Sequence, residues 1–200
     1  MGGKIADDTI PVHMATIHPS ALVTGDVELA VDVVVGPMCL IDGTIGPIRI
    51  GAGCRLVAQC HVTGPTTLGT GNTLWPGATL GTPPQDVDFD HFEPGAGLHI
   101  GADNVFREHV TVHRSKTKEP TRIGNACYLM TCVHVGHDCQ LGNGVIMASS
   151  AALGGHTVLE DRVNLGGGAI VHQNVLVGMG AMMAGLAGLS CDLPPWCMVS

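Results

Sequence analysis

Aromatic residues are scarce in this chain: three Phe, two Trp and one Tyr among 200 residues. A core of large rings is thereby excluded, and the interior must be narrow and filled by Val, Leu, Ile and Cys, which supply most of a 45% hydrophobic content. Cations are also few. Nine Lys and Arg stand against seventeen Asp and Glu, a formal charge of -8, and so low a basic content argues against a nucleic-acid partner. No run of 18 apolar residues occurs, and no charged segment leading into an apolar stretch opens the chain. The expectation is a cytoplasmic protein with no transmembrane segment.

What the chain does have is a period. An aliphatic residue recurs every six positions from Ile123 through Leu129, Val135 and Leu141 to Leu189, and the same spacing runs from Ile17 to Ile41, from Ile50 to Leu80 and from Ile100 to Val112. Helices repeat near 3.6 residues and ordinary strands near 2, so this spacing predicts an all-β fold, a parallel β-helix of hexapeptide repeats. The position two before each aliphatic is nearly always small or β-branched, as a tight coil requires at its turns. Five of the eight cysteines, Cys39, Cys54, Cys60, Cys127 and Cys139, fall on that inward position, which predicts reduced core thiols and not a disulfide framework. Three faces of six residues make an 18-residue coil, and roughly nine coils stack to about 40 Å.

The organisation expected is an N-terminal extension over residues 1–15 and a single solenoid domain over 16–200, with loops at 42–49, 81–99 and 113–122 where the phase slips. Such excursions commonly lie on a binding face. The two later ones leave the prism after Leu80 and Val112, at one shared edge. Residues 18 apart should stack, so Val135, Leu153 and Val171 form a column above Val112. Five of the eleven histidines then share its corner: His113, His134, His137, His156 and His172. Coil counting puts Gly155 above His137 and His156 above Asp138. Near them, Arg107, Arg114, Lys116, Lys118 and Arg122 supply five of the nine cations, a candidate site for phosphate or for an acidic carrier.

The segment Leu129-Met130-Thr131-Cys132-Val133-His134-Val135-Gly136-His137-Asp138-Cys139 resembles the His-x-x-His-Asp-Cys signature of the UDP-N-acetylglucosamine acyltransferases. The likeness extends through Arg107 to Arg114, Leu153-Gly154-Gly155-His156, Val171-His172-Gln173 and Asp192-Leu193-Pro194-Pro195-Trp196, nearly the whole chain from Ile17 onward. The resemblance implies a left-handed β-helix, a homotrimer, and transfer of an R-3-hydroxyacyl group from acyl carrier protein to the 3-hydroxyl of the glucosamine unit of UDP-N-acetylglucosamine. It implies His137 as general base, Asp138 as its orienting carboxylate and Gly155 as oxyanion donor through its N–H. Gln85 and Asp86 match nucleotide-sugar contacts. His113, His134, His156, His172 and Gln173 match residues that position sugar, diphosphate and acyl group. Gly185 matches the position that limits acyl-chain length. No cofactor and no metal is implied.

Two departures accompany the likeness. Asp88 stands where the family commonly has a lysine after Gln85-Asp86, and family members continue beyond the Pro-Pro motif into a helical C-terminal domain, whereas this sequence ends at Ser200. Either the sequence is a piece of a longer protein, or Arg114, Lys116, Lys118 and Arg122 do that domain's electrostatic work. Three other readings stay open at this point: a CoA-dependent acetyltransferase, a zinc enzyme of the carbonic anhydrase type, and an inactive β-helix scaffold. At the shared corner the close histidine pair is His134 and His137, not the His-x-x-x-x-His spacing of such a zinc enzyme's last two ligands.

Overall fold

The computed structural model describes residues 14–200. The expected extension over 1–15 therefore lies outside the described residues except for Met14 and Ala15. Every element among the described residues is a strand, twenty-five in all, most of them two or three residues long. No helix is long and apolar enough to cross a membrane.

The strands wind into a left-handed parallel β-helix of about ten turns. Its first face is a ten-stranded sheet from Thr16–Ile17 to Met198–Val199. The second face carries Val62, Leu80, Val112, Val135, Leu153 and Val171 inward, and the third carries Leu68, Ile100, Ile123, Leu141 and Leu159. Val135 pairs with Leu153 and Leu153 with Val171, with Val112 below, so the coils are in 18-residue register there. The hexads end at Leu189, yet one further strand, Met198–Val199, pairs with Met182–Met183. The period shortens by two residues just before it, where Leu193 follows Leu189 after four residues and bridges to Val177.

The alternation of buried and exposed positions explains the hexad pattern. In Tyr128–Leu129, His134–Val135 and Ala152–Leu153 the second residue is buried and the first points outward. Inward aliphatics such as Leu129, Val135 and Leu153 are at most 1% exposed, and burial of each contributes about 1.5–3 kcal/mol. Cys39, Cys54, Cys60, Cys127 and Cys139 are buried and free. Corners use left-handed backbone: Asp138, His156 and Asn174, one per coil on the corner between the second and third faces, have φ of 61°, 61° and 62°.

One expected loop is not a loop. Residues 42–49 lie within the continuous strand Leu40–Ile50, which rounds the corner alongside Leu22–Leu29 and joins the second and third faces into one sheet. The extra residues are absorbed as a register shift between Gly25 and Val27. The bulge is pinned by Asp42, whose carboxylate accepts from the Thr24 hydroxyl and from the Thr44 amide and hydroxyl. The other two excursions do leave the prism, spanning 83–97 between Thr79–Thr82 and Leu98–Ile100, and 114–120 between Thr111–His113 and Thr121–Ile123.

Gly25 holds a φ of +74°, and a Cβ there would lie 2.3 Å from the Gly43 carbonyl carbon. Gly25→Val is expected to lower the thermal midpoint markedly, because backbone strain and overlap together exceed the ~1 kcal/mol cost typical of strained substitutions. A midpoint within a degree of the parent would show that the bulged corner yields freely.

Candidate active site

The corner between the second and third faces is where the excursions emerge, and its cleft, about 220 Å³, is lined by Gln85, His113, His134, Gly136, His137, Gly155 and Gln173, among others. The strand Thr111–His113 presents His113 at the corner, and the strand His134–Val135 in the coil above presents His134. Their rings meet edge to face at 5.1 Å. His137 and Asp138 follow on the turn itself.

The His137 Nδ1 lies 2.7 Å from Asp138 Oδ2. An ionised carboxylate only accepts, so Nδ1 carries the proton and Nε2 keeps its lone pair for chemistry. Asp138 also accepts from the Lys116 amide at 3.0 Å and from the Thr117 amide at 3.0 Å, and from the Thr117 hydroxyl. Its own N–H donates to Thr121 Oγ1 at 2.8 Å. Burial pushes this carboxyl up, but the Thr117 hydroxyl, the Lys116 amide and the His137 ring outweigh it, and the group titrates below the usual carboxylate value. Asp138 is therefore an anion at neutral pH.

Gly155 packs flat on the His137 ring. A Cβ there would sit 2.7 Å from the imidazole Cε1 and 2.8 Å from Nε2, so any side chain would displace the ring. Among the described residues the Gly155 N–H has no acceptor within hydrogen-bonding distance, and it borders the cleft beside His137. A free donor beside a basic nitrogen suits a carbonyl that gains negative charge.

The surrounding histidines are tuned by burial. Desolvation, with His113 and His137 nearby, brings His134 down to about 4, and its Nδ1 shares a 2.9 Å hydrogen bond with Thr111 Oγ1. His113 is also lowered, mainly by burial, and its Nδ1 hydrogen-bonds the Pro83 carbonyl. Both rings are neutral at pH 7. They act as hydrogen-bonding groups, not as cations.

The expected site residues divide by position. Gln85, His113, His134, His137, Gly155 and Gln173 line one cleft. Asp86 reaches it through the 83–97 excursion and is held by Lys116 Nζ at 2.7 Å. His156 stands edge-on to His137 at 5.2 Å with its Nε2 3.9 Å from Asp138 Oδ2. His172 faces away, its Nδ1 3.1 Å from the Gln173 carbonyl oxygen, in a shallow depression with Ile170 and Gly188. Gly185 is at the other edge of the second face, in the turn between Met182–Met183 and Gly188–Leu189. It sits nearly three coils above His137, about 13 Å along the prism.

The basic cluster expected near the loops is largely spent internally. Arg114 is fully buried and donates to the carbonyls of Gly81, His91 and Glu93. Arg107 pairs with Glu108 and covers the Trp75 ring, and Lys116 pairs with Asp86. The contacts of Lys116 and Thr117 with the two acidic residues escaped sequence reasoning, since they depend on how an irregular loop folds back.

His137, Asp138 and His156 each offer a ligand atom within 4.8 Å of the others. The donors already on Asp138 fill both of its oxygens, and the short His137 contact is a proton-sharing one, so the set fits acid–base work better than tetrahedral coordination.

No family model matches this chain. The acyl-[acyl-carrier-protein]–UDP-N-acetylglucosamine O-acyltransferase of Thermodesulfovibrio yellowstonii is 39% identical over 124 residues, 61% of this chain and 46% of that protein. Its counterpart from Azorhizobium caulinodans is 42% identical over 127 residues, 62% of this chain and 45% of that one. The chain thus spans a little under half the length of these curated relatives. Among solved structures, the UDP-N-acetylglucosamine acyltransferase from Campylobacter jejuni superposes with a TM-score of 0.85 at 34% identity, over 92% of this chain and 70% of that one. The Francisella novicida enzyme gives 0.85 at 29%, over 92% and 66%.

The His134 shift makes a stability prediction. A ring near 4 in the folded state and 6.5 when unfolded binds its proton more readily in the unfolded chain. Its contribution is complete above pH 6.5 and is lost as pH falls toward 4. The thermal midpoint should therefore be flat from pH 8 to 6.5 and decline below it, and His134→Gln should flatten that decline. An equal slope in the variant would assign the acid sensitivity to other groups.

Proposed function

This chain belongs to the family of UDP-N-acetylglucosamine O-acyltransferases, and we propose that it transfers an R-3-hydroxyacyl group from acyl carrier protein to the 3-hydroxyl of the glucosamine unit of UDP-N-acetylglucosamine. The observation that carries this reading is the His137–Asp138 pair with the unpaired Gly155 N–H packed against the ring. His137 Nε2 takes the proton of the sugar hydroxyl as its oxygen attacks the thioester carbonyl. The carbonyl oxygen becomes anionic against the Gly155 N–H, an interaction worth about 3 kcal/mol in comparable sites. The carbon–sulfur bond then breaks, and the proton held by His137 passes to the departing carrier thiolate. Asp138 fixes the tautomer in which Nε2 is free and stabilises the transient imidazolium.

Gln85 and Asp86 contact the nucleotide sugar from the 83–97 excursion. Neutral His113 and His134, with His156 and Gln173, hydrogen-bond the sugar and its diphosphate without adding fixed charge. His172 and Gly185 lie beyond the cleft, so their roles belong to the acyl chain: from the thioester a chain running up the second face passes Ile170, 58% exposed, before reaching the edge where Gly185 lies. Gly185 then limits its length sterically. The assembly proposed is a cytoplasmic homotrimer, with each cleft completed by a neighbouring copy.

Incubation with UDP-N-acetylglucosamine and a ladder of 3-hydroxyacyl carrier proteins, with acyl-CoA thioesters in parallel, should give an O-acylated sugar nucleotide from the carrier-bound donors. His137→Ala should lower turnover by ~10²–10⁴. Product from CoA donors alone would move the protein to CoA chemistry, and no product from any donor with folded protein would overturn the activity. Light scattering should return about three times 20.6 kDa. A monomer at micromolar concentration would count against the shared cleft.

A further inference from the structure

The 114–120 excursion is longer than a regular corner, and its turn falls on one side chain. Asp138 Oδ1 accepts from the Thr117 amide and hydroxyl, while Oδ2 accepts from the Lys116 amide and from His137 Nδ1. A carboxylate offers about four acceptor directions. The loop occupies three of them. The one left is the one His137 uses, so the loop determines where on the carboxylate the imidazole binds.

These contacts are not needed to hold the loop. Its ends are tied to Gly97 by the Ser115 and Thr121 amides, its Pro120 carbonyl accepts from Gln140 Nε2, and Arg114 locks its base to the 83–97 excursion. The same corner position in the two coils above is occupied by His156 and Asn174, which hold the same left-handed backbone. Neither receives side-chain hydrogen-bond donors from an overlying loop among the described residues, and the coils there make the ordinary six-residue step between faces. The extra residues thus place donors at Asp138 and not at its structural equivalents.

We propose that Thr117 is a positioning residue for acyl transfer: its hydroxyl and amide, with the Lys116 amide, saturate Asp138 so that His137 is held with Nδ1 protonated and Nε2 free. This rests on the acyltransfer reading, but its physical content, the orientation and tautomer of one imidazole, is measurable without any substrate.

The test is Thr117→Val, which removes the hydroxyl and keeps the shape and the amide, with Thr117→Ser as the conservative rescue. The titratable groups facing the pair are His113 and His134 from the second face, His156 from the coil above, and the Lys116–Asp86 ion pair from the two excursions, and all are retained in both variants. Nitrogen-15 spectra of the His137 ring should show the Nδ1–H tautomer as one sharp pair of ring signals in the parent and in Thr117→Ser, and exchange-broadened signals in Thr117→Val, as the imidazole shares the acceptor direction that the hydroxyl vacates. In turnover, Thr117→Val should lower kcat about tenfold, the worth of one hydrogen bond to a charged group, with KM for the nucleotide sugar within about twofold. The acid limb of its pH profile should move to higher pH, because a carboxylate with one donor fewer holds the imidazolium proton more strongly. Unchanged ring signals, kcat and pH profile in a folded Thr117→Val would overturn the proposal, as would a lowered thermal midpoint with the spectra and profile unmoved. Should Thr117→Val not fold, Thr117→Ala must give the same broadening. A change in the ring signals of a protein that acylates nothing would leave the positioning role standing and remove the acyltransfer reading alone.

Discussion

Everything in this molecule hangs on the ladder of backbone hydrogen bonds between successive coils. Along the faces N–H groups find carbonyls of the coil above, as in His134 to Ala151, Gly136 to Leu153 and Gly154 to Val171, and at the corners they reach the coil below, as in His156 to His137. A parallel ladder with a fixed step converts sequence distance into vertical position. Gly155 is over His137, and His156 over Asp138, because each lies one 18-residue turn away, and no long-range packing decision is involved. The geometry of the candidate site is a consequence of register.

Because the faces are committed to burial and to the ladder, variety is confined to the corners. There the backbone already adopts left-handed values at ordinary residues, and the cost is met by the ladder on either side. A corner therefore accepts a histidine, an aspartate or an excursion of seven or fifteen residues with little effect on the coils. The corner between the second and third faces uses all three. Its polar side chains stand on a rigid wall while the two excursions close over them, a division of labour common where loops carry function on a regular scaffold.

That division also sets what was legible in the sequence. The coil period, the inward cysteines and the stacking of Gly155 on His137 follow from counting, because the ladder permits one register only. The residues 42–49 read as an excursion, since counting detects a phase slip but not whether it is absorbed; here Asp42 with Thr24 and Thr44 turned it into a bulge within a strand. Beyond the corner the limits are sharper. Nothing in the spacing says that the Lys116 side chain reaches back to Asp86, or that Thr117 reaches Asp138, because an irregular loop has no period to extrapolate. Likewise, His172 and Gly185 share the coil arithmetic of the other candidates, yet they lie outside the cleft: the His172 ring turns to the Gln173 carbonyl although Gln173 itself lines the cleft, and Gly185 stands at a different corner.

Charge illustrates the same limit with a functional consequence. Five cations within sixteen residues read as a basic patch, but a side chain's charge reaches a partner only if nothing internal has claimed it. Arg114 is buried, desolvation lowers its pKa, and its Nε has no partner while its terminal nitrogens brace three carbonyls of the neighbouring excursion. Burying a guanidinium is costly unless hydrogen bonds compensate, so its place there is explained by the shape it imposes on the segment bearing Gln85 and Asp86. Arg107 and Lys116 are neutralised by Glu108 and Asp86. What stays outward on this stretch is Lys118 and Arg122, too little for strong steering at physiological salt, where the Debye length is about 8 Å. The cleft itself then presents neutral histidines and backbone donors, groups that discriminate by geometry where a cationic patch would attract any anion.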